Sequence, residues 1–131
     1  MKTAGNVLLD TNVVVAHFRK DPDLTARLAE VAALYLPWVV LGELHFGAQR
    51  AQQREEALTQ IHDFFRIAAL LLPDAITAEY YGRVKAKLVQ IGRPIPDNDI
   101  WIAALARQYE LPLATRDRHF ALVPQLNVLA W

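Results

Sequence analysis

Val7-Leu8-Leu9-Asp10-Thr11-Asn12 is the stretch on which the fold turns. Three consecutive apolar residues leave no polar face, so the run predicts a strand buried on both sides, stopped by a polar turn at Asp10. The same alternation of short apolar runs with helical patterns recurs along the chain. Val13 to Arg19 reads as a helix. Asp21-Pro22-Asp23 starts a second, with Leu24, Leu28 and Val31 at helical spacing. Leu34-Tyr35-Leu36 is a second strand closed by Pro37, followed by helices over Trp38 to Arg50 and Ala51 to Phe65, the latter turning Leu58, Ile61 and Phe65 inward. Ile67 to Leu72 gives a third strand. Thr77 to Gln90 is a helix with Gly92 past its end as a C-terminal cap, and Asp97 to Tyr109 a helix with an apolar middle. Leu111 to Ala114 and Asn127 to Leu129 are the last two strands. Strands alternating with helices imply right-handed crossovers, hence an α/β fold with a mainly parallel five-stranded sheet covered on both faces, in one domain over residues 1–131.

Composition narrows the function classes. Lysines and arginines equal aspartates and glutamates at 14 each, so bulk positive charge does not drive a general nucleic-acid coat. The apolar runs fall far short of the roughly 20 residues of a membrane span. The first residues are too short and polar for a secretory signal, and the expectation is a cytoplasmic protein. The chain has neither cysteine nor serine, which excludes disulfides, thiolate zinc sites and Ser or Cys nucleophiles. It has no glycine-rich phosphate loop.

Four acids form the candidate site, two of them beyond the carboxyl ends of strands, where a parallel sheet presents ligands, and two on helices. Asp10 follows the first strand directly, and Asp117 follows the fourth in Ala114-Thr115-Arg116-Asp117. Asp99 lies in the first turn of its helix, two residues after Asp97. Glu43 sits between Gly42 and Leu44 on an apolar helix. Each has an ordinary structural explanation: an Asx turn at Asp10, helix capping by Asp97, Asp99 or Asp117, and an ion pair for Glu43. Together they are harder to explain so, because clustered carboxylates repel unless cations offset the charge. An all-carboxylate set without Cys or a paired His suits hard cations, Mg²⁺ or Mn²⁺. The histidines 17, 45, 62 and 119 form no i, i+4 pair. His119, next to Arg118, is expected at the surface.

Leu8-Leu9-Asp10-Thr11-Asn12, then Gly42-Glu43-Leu44 with Gly47, then Pro96-Asp97-Asn98-Asp99-Ile100-Trp101-Ile102-Ala103-Ala104, then Leu113-Ala114-Thr115-Arg116-Asp117-Arg118-His119-Phe120, taken in this order, resemble a PIN domain, and more narrowly the VapC-type toxins of toxin–antitoxin pairs. The likeness covers essentially the whole chain. It implies a three-layer α/β/α PIN-like fold and a metal-dependent ribonuclease that leaves 5′-phosphate and 3′-hydroxyl ends. By the resemblance, Asp10, Glu43, Asp99 and Asp117 match the catalytic quartet, with Asp10, Asp99 and Asp117 as ligands of Mg²⁺ or Mn²⁺ and Glu43 acting directly or through water. Asp99 rather than Asp97 matches the family's acid, since it stands just before the Ile100 to Ala104 run. Thr11 and Thr115 match hydroxyls that orient the acids. Arg116 and Arg118 are expected to grip RNA; Arg19, Lys20 and Arg93 read as surface charges. The resemblance further implies an antitoxin whose helical tail fills an apolar groove, and a homodimer. The leading alternative is a PIN-like RNA-binding or protein-interaction module with a weak site. An aspartyl-nucleophile phosphohydrolase would need an acid where Asn12 stands, and a phosphate-receiver domain a further acid and a lysine.

Overall fold

The computed structural model describes residues 4–131. Five strands, β1 (Ala4–Leu9), β2 (Val31–Pro37), β3 (Ala68–Leu71), β4 (Leu113–Thr115) and β5 (Val128–Ala130), form one sheet in the order β3-β2-β1-β4-β5. Every pairing is parallel. The helices are α1 (Thr11–Phe18), α2 (Pro22–Ala29), α3 (Trp38–Arg50), α4 (Arg54–Phe65), α5 (Ala75–Gln90) and α6 (Asp97–Gln108).

Neighbouring strand residues point to opposite faces. Val7, Leu8 and Leu9 are all buried, as are Leu113, Ala114 and Thr115. Both faces of the sheet are therefore covered, which makes the domain three layers, as the unbroken apolar run of β1 requires. The strand order places a reversal between β1 and β4: the chain first builds outward through β2 and β3, then returns to add β4 and β5 on the other side of β1. The carboxyl ends of β1 and β4 thus border a crevice at a topological switch point. Leu8 pairs with Leu113 and Leu9 with Ala114, and Asp10 N donates to Ala114 O at 3.0 Å.

Some sequence boundaries move. Val31 opens β2 instead of closing α2, because Glu30 already ends that helix with backbone bonds to Arg27 and Leu28. Ala51 to Gln53 form a break, so α3 and α4 are separate and α4 begins at Arg54. Leu58 packs against the core as expected, and the buried residues are Ile61 and Phe64, while Phe65 is 43% exposed, a shift of one position on the helix. Ile67 and Leu72, expected in β3, are each 61% exposed outside it. Gly92 caps α5 at φ 67°, a left-handed conformation that glycine adopts without steric penalty. Asp74 caps the same helix in a reciprocal box with Thr77, and Gln108 of α6 joins them, tying the two helices together.

After β4 the chain makes a short 3-10 helix, Arg118–Leu122, fastened by Phe120, whose ring is fully buried. Phe120→Ala is expected to lower stability by about 3–5 kcal/mol, because truncating a buried phenyl leaves a cavity. Urea unfolding followed by circular dichroism checks this: the midpoint should fall with little change in slope.

Candidate metal centre

Asp10 is the best-buried acid, 3% exposed, at the step from β1 into α1. Its Oδ1 accepts from Thr11 N at 2.8 Å. Its Oδ2 accepts from Thr115 Oγ1 at 2.7 Å and from Asn12 Nδ2 at 3.3 Å. The Thr115 hydroxyl also accepts from Asp117 N at 3.0 Å, so one side chain ties the ends of β1 and β4 together. Thr11 orients a different acid: its Oγ1 donates to Glu43 Oε1 at 3.0 Å, reaching from α1 to α3. Each threonine thus fixes one carboxylate, Thr115 that of Asp10 and Thr11 that of Glu43.

The ordinary explanations for the acids fail for three of them. Helix α6 is entered through Pro96 with no side-chain cap, so Asp99 is not a capping residue. Asp117 precedes the 3-10 helix without capping it. Among the described residues, Glu43 makes no ion pair with a lysine or arginine; nor do Asp10, Asp99 or Asp117. Asp97 also borders the cleft, but its carboxylate is engaged by Tyr81 Oη at 2.9 Å and Lys85 Nζ at 3.2 Å. Those contacts keep its carboxyl below the ordinary carboxylate range. Asp99 is the member of the pair turned toward Asp10 and Asp117, whose charges it feels.

Electrostatics distinguish this group from a solvated acidic surface. Burial raises the pKa of Asp10 against the lowering effect of its hydrogen bonds, with the Asp117 charge adding to the rise. Burial likewise raises Glu43, with Asp10, Asp99 and Asp117 adding to it. Asp99 is raised first by burial and then by Asp10. The group carries unbalanced negative charge that a cation would relieve. Carboxylate oxygens on a rigid sheet edge are the donors that Mg²⁺ and Mn²⁺ take. The acids line a cleft of about 1110 Å³ whose walls also carry Arg19, Lys20 and Arg116.

Two residues acquire roles that the sequence did not predict. Asn12 bonds Asp10 with its amide and accepts from Arg116 N at 3.1 Å, a second bridge between the ends of β1 and β4. His119, expected at the surface, is partly buried, with Nε2 2.8 Å from Asp99 Oδ2. Arg116 lies on the cleft wall with its guanidinium already engaged, Nη2 on Asp21 Oδ2 at 2.8 Å and Nε on Trp131 O at 2.9 Å. Arg118 is exposed and makes no ion pair among the described residues.

Residues 7–126 match the PIN domain family. The chain is 31% identical over 127 residues to Ribonuclease VapC2 of Haemophilus influenzae, covering 95% of this chain and 96% of the relative. It is 30% identical over 127 residues to the tRNA(fMet)-specific endonuclease VapC of Shigella flexneri, with the same coverage of both chains. Among solved structures, VapBC2 from Rickettsia felis bound to a promoter DNA fragment superposes with a TM-score of 0.89 at 26% identity, covering 96% of this chain and 98% of that one. VapBC-1 from nontypeable Haemophilus influenzae gives 0.87 at 26% identity, with the same coverage.

The raised carboxyls bind protons more tightly in the folded than in the unfolded chain. Their contribution to stability is therefore greatest below their ordinary values of 3.8 and 4.5 and is lost as pH rises through the raised folded values. In chelator, Glu43→Gln should raise the melting temperature by a few degrees at neutral pH and leave it unchanged in acid. Thermal melts at about pH 3.5, below the ordinary value of Glu43, and at pH 7.5 give the comparison; equal melting of variant and wild type at both would remove the repulsion argument.

Proposed function

The chain belongs to the PIN domain family, and on that premise we propose a mechanism for it as a ribonuclease, the toxin of a toxin–antitoxin pair neutralised by its cognate antitoxin. The reaction depends on Mg²⁺ or Mn²⁺, held by Asp10, Asp99 and Asp117 with Glu43 beside them. One observation carries this reading: four carboxylates converge at the switch point and, among the described residues, none of them is paired with a lysine or arginine. When bound there, the cation polarises the phosphodiester and makes an attacking water more acidic.

The protein's own groups do the rest. Thr115 and the Thr11 amide hold the Asp10 carboxylate in one orientation, so its oxygens need no reorganisation as charge develops. Glu43, aimed by Thr11 and with raised proton affinity, is suited to take the proton from the attacking water. Acids on the floor of the cleft and cations on its walls suit a polyanion that must bring one phosphate to a carboxylate cluster. Arg118, unpaired among the described residues, is the first phosphate contact beyond Asp117. Arg116 contacts RNA only by giving up its bond to Asp21.

The antitoxin's place is a groove of about 380 Å³ between α1, α3 and α4, floored by Val15, Phe18, Leu44, Ala48 and Ile61. Glu43 and Arg19 line both this groove and the catalytic cleft, so a helix seated in one can extend a basic side chain into the other. The rival reading, a module without catalysis, leaves the desolvation of Asp10, Glu43 and Asp99 without purpose.

Purified protein should cleave RNA with Mg²⁺ or Mn²⁺ and stop in chelator. Asp10→Asn should lose at least about 10²–10³-fold in rate, the cost of removing one preorganised electrostatic group. Cleavage of equal rate by wild type and variant would falsify the role given to Asp10.

A further inference from the structure

His119 is the one ring nitrogen in the carboxylate cluster. It is carried by the 3-10 helix that Phe120 pins to the core, and its ring packs on Phe120 with centroids 4.9 Å apart. Nε2 is buried and lies 2.8 Å from Asp99 Oδ2, whose carboxyl feels the ring both as a charge and as a hydrogen-bond partner. Asp99, Asp117 and His119 each offer one donor atom, all within 4.8 Å of one another. Two donors at adjacent corners of an octahedral ion, with bonds of about 2.0–2.1 Å, stand roughly 3 Å apart. The separation of Nε2 and Oδ2 matches that edge.

We infer that His119 Nε2 is a cation ligand together with Asp99 and Asp117, so the cleft has an all-oxygen side at Asp10 and Glu43 and a nitrogen-containing side at His119. This rests on the metal-dependent nuclease reading above and deepens it. Imidazole nitrogen is a poor ligand for Mg²⁺ and a better one for Mn²⁺ and the metals beyond it in the Irving–Williams order. The chain therefore binds Mn²⁺ in preference to Mg²⁺, and His119 is the residue that sets the preference. As a mere counter-charge to Asp99, the ring would change the affinity for both ions alike.

The experiment uses untagged full-length protein, with Mn²⁺ and Mg²⁺ as separate probes in calorimetry and Mn²⁺ in pulsed electron paramagnetic resonance. Wild type should bind Mn²⁺ more tightly than Mg²⁺ and show imidazole ¹⁴N coupling to the bound Mn²⁺. His119→Asn should lose the coupling and at least the 10–100-fold in Mn²⁺ affinity that even supporting partners of a ligand cost, with a smaller loss for Mg²⁺. His119→Asp restores an oxygen donor: it should keep Mn²⁺ affinity within a few-fold, lack the coupling, and gain affinity for Mg²⁺. Mn²⁺ bound to wild type without ¹⁴N coupling overturns the His119 assignment and leaves the nuclease reading intact. Coupling that persists in His119→Asn, or equal losses for both ions, overturns it too. Failure of wild type to bind either ion overturns both readings.

Discussion

The pairing of β1 with β4 is the constraint on which the site depends. It is short, two residue pairs and the bond from Asp10 N to Ala114 O, yet it joins segments 105 residues apart at their carboxyl ends. Thr115 extends the pairing past the backbone by donating to Asp10 and accepting from Asp117, and Asn12 adds a parallel bridge through Arg116 N. Without this registration, Asp10 and Asp117 would belong to separate loops. With it, they share a crevice that α6 closes by bringing in Asp99 from its first turn, and α3 by bringing in Glu43.

Holding these acids together costs stability. Three of them are raised in pKa by burial and by one another, and among the described residues no lysine or arginine pairs with them. The fold absorbs the cost in the rigid parts around the cleft: β1 and β4 buried on both faces, the run Ile102 to Ala106 of α6 buried without a break, and Phe120 locking the segment after Asp117. Strain of this kind is characteristic of a site kept ready for a cation. The same need explains why the hydroxyls of Thr11 and Thr115 are spent on acid orientation, since each removes a freedom the carboxylates would otherwise use to move apart.

Much of this was legible from local pattern. Val7-Leu8-Leu9 named a doubly buried strand because burial on both faces leaves no alternation, and Gly92 marked a helix end because its left-handed φ disfavours a side chain. Asp10, Asp99 and Asp117 fall near the sheet edge because each lies within two residues of the end of a strand or the start of a helix whose type the sequence makes plain. Where the reading slipped, the reason was fine phase: Phe64 against Phe65, or Val31 in β2 instead of α2. One residue is about 100° on a helix, and the apolar pattern alone does not resolve that angle when both candidates are aromatic.

By itself the sequence determined the alternation of strands and helices, the absence of thiol and serine chemistry, and which acids end strands or begin helices. These follow from residue type and short-range spacing. Only the tertiary structure decided that Asp97 is tied to Tyr81 and Lys85, that Arg116 is held by Asp21, and that His119 sits against Asp99. Those outcomes depend on where β4 inserts in the strand order, and on the direction in which each side chain leaves its backbone. Contacts between groups far apart in the chain are set by the packing of the whole sheet, which no local stretch of sequence encodes.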